Sequence, residues 1–202
     1  KGYTVFIYKN YNNIVENLKA VLYKGLKRNR KTGARFLNKG GNVPLFFEDR
    51  LKDNNKNIVL VESEKTAILA NYIYDDYLFI ATGGTNALTD EKVKVFKNKK
   101  ITIAFDADEP GRKAALNVKE KLNEIADIVR IYDKFPDRND GYDLGDYLIE
   151  LLIKHKQLIN SLNENKRGLY EEKAAILQYQ NNLSKYDSEV EALKRLGVKN
   201  ER

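Results

Sequence analysis

Asp106 and Asp108 stand directly after the short apolar run ITIAF (101–105) and just before Pro110-Gly111. Two carboxylates two residues apart at the end of a strand are hard-oxygen donors suited to Mg²⁺. The same pattern has a plainer reading, in which Asp106 caps a following helix and Asp108 sits in the turn. Three further acidic residues take comparable places: Glu62 closes the apolar run Ile58–Val61, and Asp143 and Asp146 follow a later one, Asp127–Tyr132. The chain has no Cys and one His, His155, so a metal held here must rest on carboxylates, which selects Mg²⁺ or Mn²⁺. Disulfides and thiolate zinc sites are excluded for the same reason.

These residues need elements that bring them to one edge. Ile58–Val61, Tyr77–Ala81, Ile101–Phe105 and Asp127–Tyr132 are short, β-rich runs of the kind that forms buried strands. Helical spacing separates them, with Ala67, Ile68, Tyr72 and Ile73 in phase over 65–74. Thr89 reads as the N-cap of a short helix with Asp90 and Glu91 in its first turn, and Arg112–Ala126 is amphipathic after a Pro110-Gly111 turn. A β-α-β-α-β-α-β order predicts an α/β fold, a parallel sheet with helices on both faces. Parallel strands end on one edge, so Glu62, Gly83-Gly84, Asp106, Asp108, Asp143 and Asp146 are expected along it, where open α/β sheets bind ligands. Bare backbone at Gly83 and Gly84 would let a phosphate approach closely, although Gly-Gly turns are common in any fold. Lys65 and Arg112 begin helices on that edge and suit nucleotide phosphates; ordinary exposed charge explains them equally well.

Upstream, 3–9 and 15–23 read as a hairpin about the turn Asn10–Asn13. Lys24–Lys39, with Lys24, Lys27, Arg28, Arg30, Lys31 and Arg35, reads as a basic loop that either tracks phosphates or is simply solvated. Val43–Leu51 reads as a docking strand or turn followed by a small helix, with a boundary at Asp53–Asn57. Phe6, Phe46 and Phe47 are expected in the core. From Asp146 the chain is helical, one helix running to about residue 160 and one or two more over Arg167–Leu196, with no motif. The 202 residues suffice for one core and a smaller appendage. Their 36 Lys and Arg against 29 Asp and Glu give +7, a moderate bias toward polyanions. Because the first residue is Lys1, a portion of a longer protein is expected. No apolar run reaches membrane-spanning length, and a cytoplasmic setting is expected.

Taken together, VESEKTA (61–67), ATGGT (81–85), FDADEPGRKAA (105–115) and DLGDYL (143–148) resemble the Toprim family, the catalytic domain shared by bacterial-type and phage primases, topoisomerases and some nucleases. The likeness spans about 57–150. Its hallmarks, a glutamate after the first strand and D-x-D after the third, fall on Glu62, Asp106 and Asp108. The Gly111-Arg112 pair with Ala114 and Ala115, and the DLGDYL close, are similar to the primase branch. Ser63 departs from the glycine common after the motif glutamate, and a Cys-based zinc ribbon cannot lie in this chain.

The resemblance implies a Toprim-like parallel sheet with flanking helices at 57–150, a small mixed α/β segment before it (1–56) and a helical extension after it (151–202). It implies metal-dependent phosphoryl transfer, most directly primer synthesis on single-stranded DNA from nucleoside triphosphates. A 3′-hydroxyl attacks an α-phosphate there, assisted by paired Mg²⁺. Asp106 and Asp108 would be metal ligands, Glu62 a ligand or proton-handling group, Asp143 a second-site ligand and Asp146 a weaker one. A replicative helicase or flanking domains are the expected partners. A Toprim nuclease shares the same ligand set and remains open. A topoisomerase needs a separate domain with a nucleophilic Tyr, and a D-x-D phosphatase continues differently from Glu109-Pro110-Gly111. A non-catalytic nucleic-acid module of a phage or mobile-element protein is the third alternative.

Overall fold

The apolar pentads in the middle of the chain become the centre of a parallel sheet. The computed structural model describes residues 2–38, 43–84 and 88–198. Strands β6 (Asn57–Val61), β7 (Tyr77–Ala81), β8 (Lys100–Ile103) and β9 (Ile128–Ile131) run in one direction in the order β7-β6-β8-β9. Period-two alternation divides their side chains between two cores. Val59, Val61, Phe79 and Ala81 meet Ala67, Ala70 and Ile73 of α1 (Glu64–Ile73), with Leu148 and Leu151 of α4 (Leu144–Asn160). On the other face Ile58, Leu60, Ile80, Ile101 and Ile103 meet Ala115, Val118 and Leu122 of α3 (Glu109–Asn123). The short α2 (Asp90–Val93) adds Val93 to that core. Each fully buried Leu or Ile contributes roughly 1.5–3 kcal/mol. The expected parallel sheet with helices on both faces is what the chain forms.

The topology also fixes where a ligand can enter. From β6 the chain crosses through α1 to β7 on one side, and from β8 it crosses through α3 to β9 on the other. The loops after β6 and β8 therefore part company, and a crevice opens between two adjacent strand ends. Glu62 and Asp106 stand there.

Several boundaries differ from the sequence expectations. Strand β8 ends at Ile103, so Ala104 and Phe105 already belong to the loop. Pro110 and Gly111 form the first turn of α3 rather than a separate turn, because Pro lacks only an N–H that has no partner in a first turn. Helix α4 starts at Leu144, two residues before the expected Asp146, and runs to Asn160.

Residues 4–9 (β1, Thr4–Lys9) and 15–21 (β2, Val15–Val21) pair as the expected hairpin. The basic stretch, expected as a loop, instead holds a two-rung hairpin of β3 (Tyr23–Lys24) and β4 (Lys27–Arg28). It also holds β5 (Ala34–Phe36), which pairs with β2. Strands of two and three residues carrying cations leave no alternation to read. Lys39, at the end of that stretch, and Thr85, at the end of ATGGT, lie outside the described residues. Phe46 joins this layer to the parallel sheet, exchanging hydrogen bonds with Ala81 (2.9 and 3.2 Å). Phe6 and Tyr8 pack edge-on to Phe46, each ring 5.6 Å away. Helices α5 (Glu164–Gln180) and α6 (Lys185–Arg195) form a hairpin around Tyr170, Leu177, Ala192 and Leu193. No described helix is long and apolar enough to cross a membrane.

Candidate active site

Three helices present their N-termini to the carboxyl edge of the sheet, each closed by a side chain from that edge. Ser63 accepts from the Thr66 N–H (3.2 Å) to start α1. Asp108 Oδ1 accepts from the Gly111 N–H (2.7 Å) to start α3, and Asp143 Oδ1 accepts from the Asp146 N–H (2.6 Å) to start α4. The cap of α3 is thus Asp108, not Asp106 as the plainer sequence reading had it. Partial positive charge at the three helix ends favours anions there. Gly111 is required because a Cβ would overlap the Asp106 carbonyl oxygen, and a Cβ on Gly145 would overlap the Thr66 hydroxyl. That close approach lets Thr66 Oγ1 donate to Asp143 Oδ2 (3.2 Å), tying the start of α4 to the start of α1.

Glu62 and Asp106 meet across the crevice, where Glu62 Oε1 accepts from the Asp106 N–H (3.1 Å). Their electrostatics are those of an uncompensated acidic cluster. Burial, and then the charges of Glu62, Asp143, Asp108 and Asp146, push the Asp106 carboxyl up to about 8. Burial raises Glu62 first, and Asp108 and Asp143 add to it against the Asp106 N–H. Asp143 is also raised by burial, with Asp146 adding and Lys65 and Thr66 opposing. The cation beside the cluster is Lys65, 3.5 Å from Asp146. Among the described residues no three acidic or His side chains are arranged to hold an ion as they stand. The donors nevertheless suit a hard divalent cation, being all carboxylate oxygens whose mutual repulsion such an ion would relieve.

The remaining expected residues fare differently. Gly83 and Gly84 follow β7 on the same edge with φ of +85° and +149°, conformations that favour glycine. Arg112 is engaged by protein groups. Its Nε binds Asp133 (2.9 Å), and an Nη donates to the carbonyl oxygens of Phe135 (3.1 Å) and Arg138 (2.8 Å). It fastens the loop between β9 and α4, the loop that delivers Asp143.

Sequence reasoning missed Glu64, Tyr8 and Lys19. Glu64 is 4% exposed and receives hydrogen bonds from the Tyr8 hydroxyl and from Lys19 Nζ, the latter at 2.5 Å. Burial and the adjacent carboxylate push the Tyr8 hydroxyl well above the usual phenol range. A Cβ on Gly83 would lie 3.3 Å from that hydroxyl, so the node abuts the carboxyl edge of the sheet. Glu64 had the look of an ordinary acidic residue in a helix's first turn, and Lys19 of a surface charge.

Comparison with known proteins follows the same lines. A family model described as Domain of unknown function (DUF6371) matches residues 1–107. No curated protein matches the sequence significantly. Among solved structures, the chain is similar to the E. coli primase catalytic core at 14% identity, with 98% of this chain and 71% of that one covered and a TM-score of 0.54. It is similar to the Aquifex aeolicus primase, comprising zinc-binding and RNA polymerase domains, at 16% identity, 98% and 52% coverage and a TM-score of 0.53. A bacteriophage T7 assembly of lagging-strand DNA polymerase with primase domains, bound to an RNA/DNA hybrid and dTTP, matches at 20% identity, 69% and 68% coverage and a TM-score of 0.51. The chain spans about half the length of the Aquifex structure. At such identities the likeness is one of fold, that of a primase core.

Proposed function

The chain belongs to the DUF6371 family, and from its primase-core fold and acidic edge we propose that it is a Toprim-type nucleotidyltransferase that makes short primers on single-stranded DNA from nucleoside triphosphates. The observation that carries this reading is the acidic cluster at the switch point, Glu62, Asp106, Asp108 and Asp143, where burial and then the neighbouring charges raise the proton affinity of Glu62 and Asp106. Residues 1–56 serve as the basic entry segment, 57–150 as the catalytic unit and 151–202 as a helical extension.

In this reading Asp106 and Asp108 would hold Mg²⁺ or Mn²⁺, with Asp143 completing the donor set, Asp146 beyond them and Glu62 kept as the proton-handling group. The ion, when bound, offsets charge on the triphosphate and favours the ionised 3′-hydroxyl. Glu62, whose carboxyl binds a proton more readily than usual, can accept one at Oε as the hydroxyl attacks the α-phosphate, whose bond to the β-phosphate oxygen breaks to release pyrophosphate. Lys65 at the start of α1 and the bare backbone of Gly83-Gly84 receive phosphate oxygens. Arg112 acts through the 133–138 loop, keeping Asp143 in register with Thr66.

The test incubates the chain with Mg²⁺ or Mn²⁺, single-stranded DNA and labelled nucleoside triphosphates, beside a labelled DNA cleavage control. Metal-dependent oligonucleotides that vanish in Asp108→Asn support the proposal, and cleavage without synthesis replaces it with a nuclease. A second readout needs no turnover: Mg²⁺ should raise the Tm of the wild-type chain and not that of Asp106→Asn.

A further inference from the structure

Both faces of a parallel sheet are normally covered. Here α3 closes one face across β8 and β9, but the opposite face is only half roofed. Helix α1 lies over β6 and β7, and α4 packs on α1 instead of continuing across β8 and β9. The result is an open cavity of about 460 Å³ on the sheet surface, reaching from β7 to β9. Val59, Phe79, Thr102 and Ala104 form its floor. Tyr74 and Tyr77 flank Phe79 at one end, with ring centroids 5.9 and 6.2 Å from it, and Tyr132, half exposed, stands at the other.

Two cations complete the lining. The Arg130 side chain on β9 makes no hydrogen bond or ion pair among the described residues. Lys134 is held at the mouth by its ammonium, 4.3 Å from the Tyr147 ring centroid, beside Leu144. Among the described residues no carboxylate lines the cavity. A pocket of this size with aromatic walls, a small polar floor group and cations on one rim has the make-up of a small-molecule site. Stacking surfaces select a planar ring, and a guanidinium beside an ammonium selects a phosphate.

We propose that this cavity is a nucleotide site separate from the acidic edge, taking a free nucleoside phosphate with its base against Tyr74 and Tyr77 and its phosphate at the opposite end, at Arg130 and Lys134 beside Tyr132. The site needs no metal and uses none of the residues assigned to catalysis, so it stands or falls apart from the primase reading. Leu144 is shared between the cavity wall and the first turn of α4, next to Asp143, so an occupant would press on the helix that carries a proposed metal ligand.

The test measures binding of a fluorescent N-methylanthraniloyl-ADP to the 202-residue chain in excess EDTA. Saturable binding is expected, unchanged in Asp106→Asn, weakened about tenfold in Arg130→Ala and about fivefold in Tyr132→Ala. Unlabelled ADP should displace the probe far better than adenosine does. Absence of saturable binding in EDTA overturns the proposal, as does equal affinity for adenosine or indifference to both substitutions. Concentration-dependent dimers in sedimentation, abolished in Arg130→Ala and insensitive to ADP, would assign the cavity to a second copy of the chain and overturn it equally. Both substituted residues are exposed, and unchanged circular dichroism excludes a folding artefact.

Discussion

Two acidic regions lie within one turn of α1, and the fold treats them in opposite ways. Glu64 is sealed from solvent and fully answered by a cation and a phenol. Glu62, two residues earlier, opens onto a crevice with Asp106, Asp108 and Asp143, where Lys65 pairs with the outlying Asp146 and offsets Asp143 only in part. The compensated carboxylate welds the N-terminal sheet to the parallel one. The uncompensated set holds electrostatic strain that a cation would discharge. Charge balance, more than acidity, separates scaffold from chemistry here.

The comparison can be broken at either end. The largest effect is expected from Asp108→Asn, which should lower metal-dependent synthesis at least about 100-fold, the scale reached even by groups that merely orient metal ligands. Retained turnover would move the chemistry off this edge. Next, Lys19→Met strands Glu64 in the core and should cost about 3–5 kcal/mol in chemical denaturation. Pairing it with Glu64→Gln should recover much of that deficit, and strictly additive effects would mean that the two residues do not interact.

A smaller and opposite effect is expected from Asp106→Asn. Its carboxyl binds a proton more tightly folded than unfolded, so its stabilising contribution is complete below about pH 4 and disappears as pH rises through about 8. The Asn variant should therefore melt roughly 5 °C above wild type at pH 8.5, with the gap closing toward pH 5. A gap independent of pH would contradict the cluster's electrostatics. Smallest is the effect of neutralising Lys24, Lys27, Arg28, Lys31 and Arg35. Affinity for single-stranded DNA should fall several-fold, and the salt slope should flatten by about 0.7 for each phosphate that is no longer neutralised. An unchanged slope would leave that surface without a role.

Much of this was legible because parallel strands are buried on both faces and read as unbroken apolar runs. Ile58–Val61 and Tyr77–Ala81 announce themselves, and strand direction alone gathers Glu62, Asp106 and Asp143 on one edge. The N-terminal layer hides its logic. Strand β1 carries Val5 and Ile7 outward and Phe6 and Tyr8 inward, two apolar faces with nothing to choose between them. Strand β2 inverts the usual rule, turning Asn17 and Lys19 inward while Leu18 and Ala20 stay half exposed. No hydropathy pattern predicts a buried lysine whose partner lies 45 residues away. Arg112 is hard to place for a related reason, since Asp133 and the backbone carbonyls that tether it belong to an irregular loop, which leaves no such pattern in sequence.

The rung between Phe46 and Ala81 has a bearing on solubility. Strand β7 is the outer strand of the parallel sheet on its side, and an outer strand offers unpaired N–H and C=O groups to any neighbouring chain. Phe46 occupies such groups at Ala81, while its ring lies among Phe6, Tyr8 and Phe47. The residue that anchors the N-terminal layer thus also blunts a sticky edge, and loosening that layer would expose β7 to self-association before the core itself gave way.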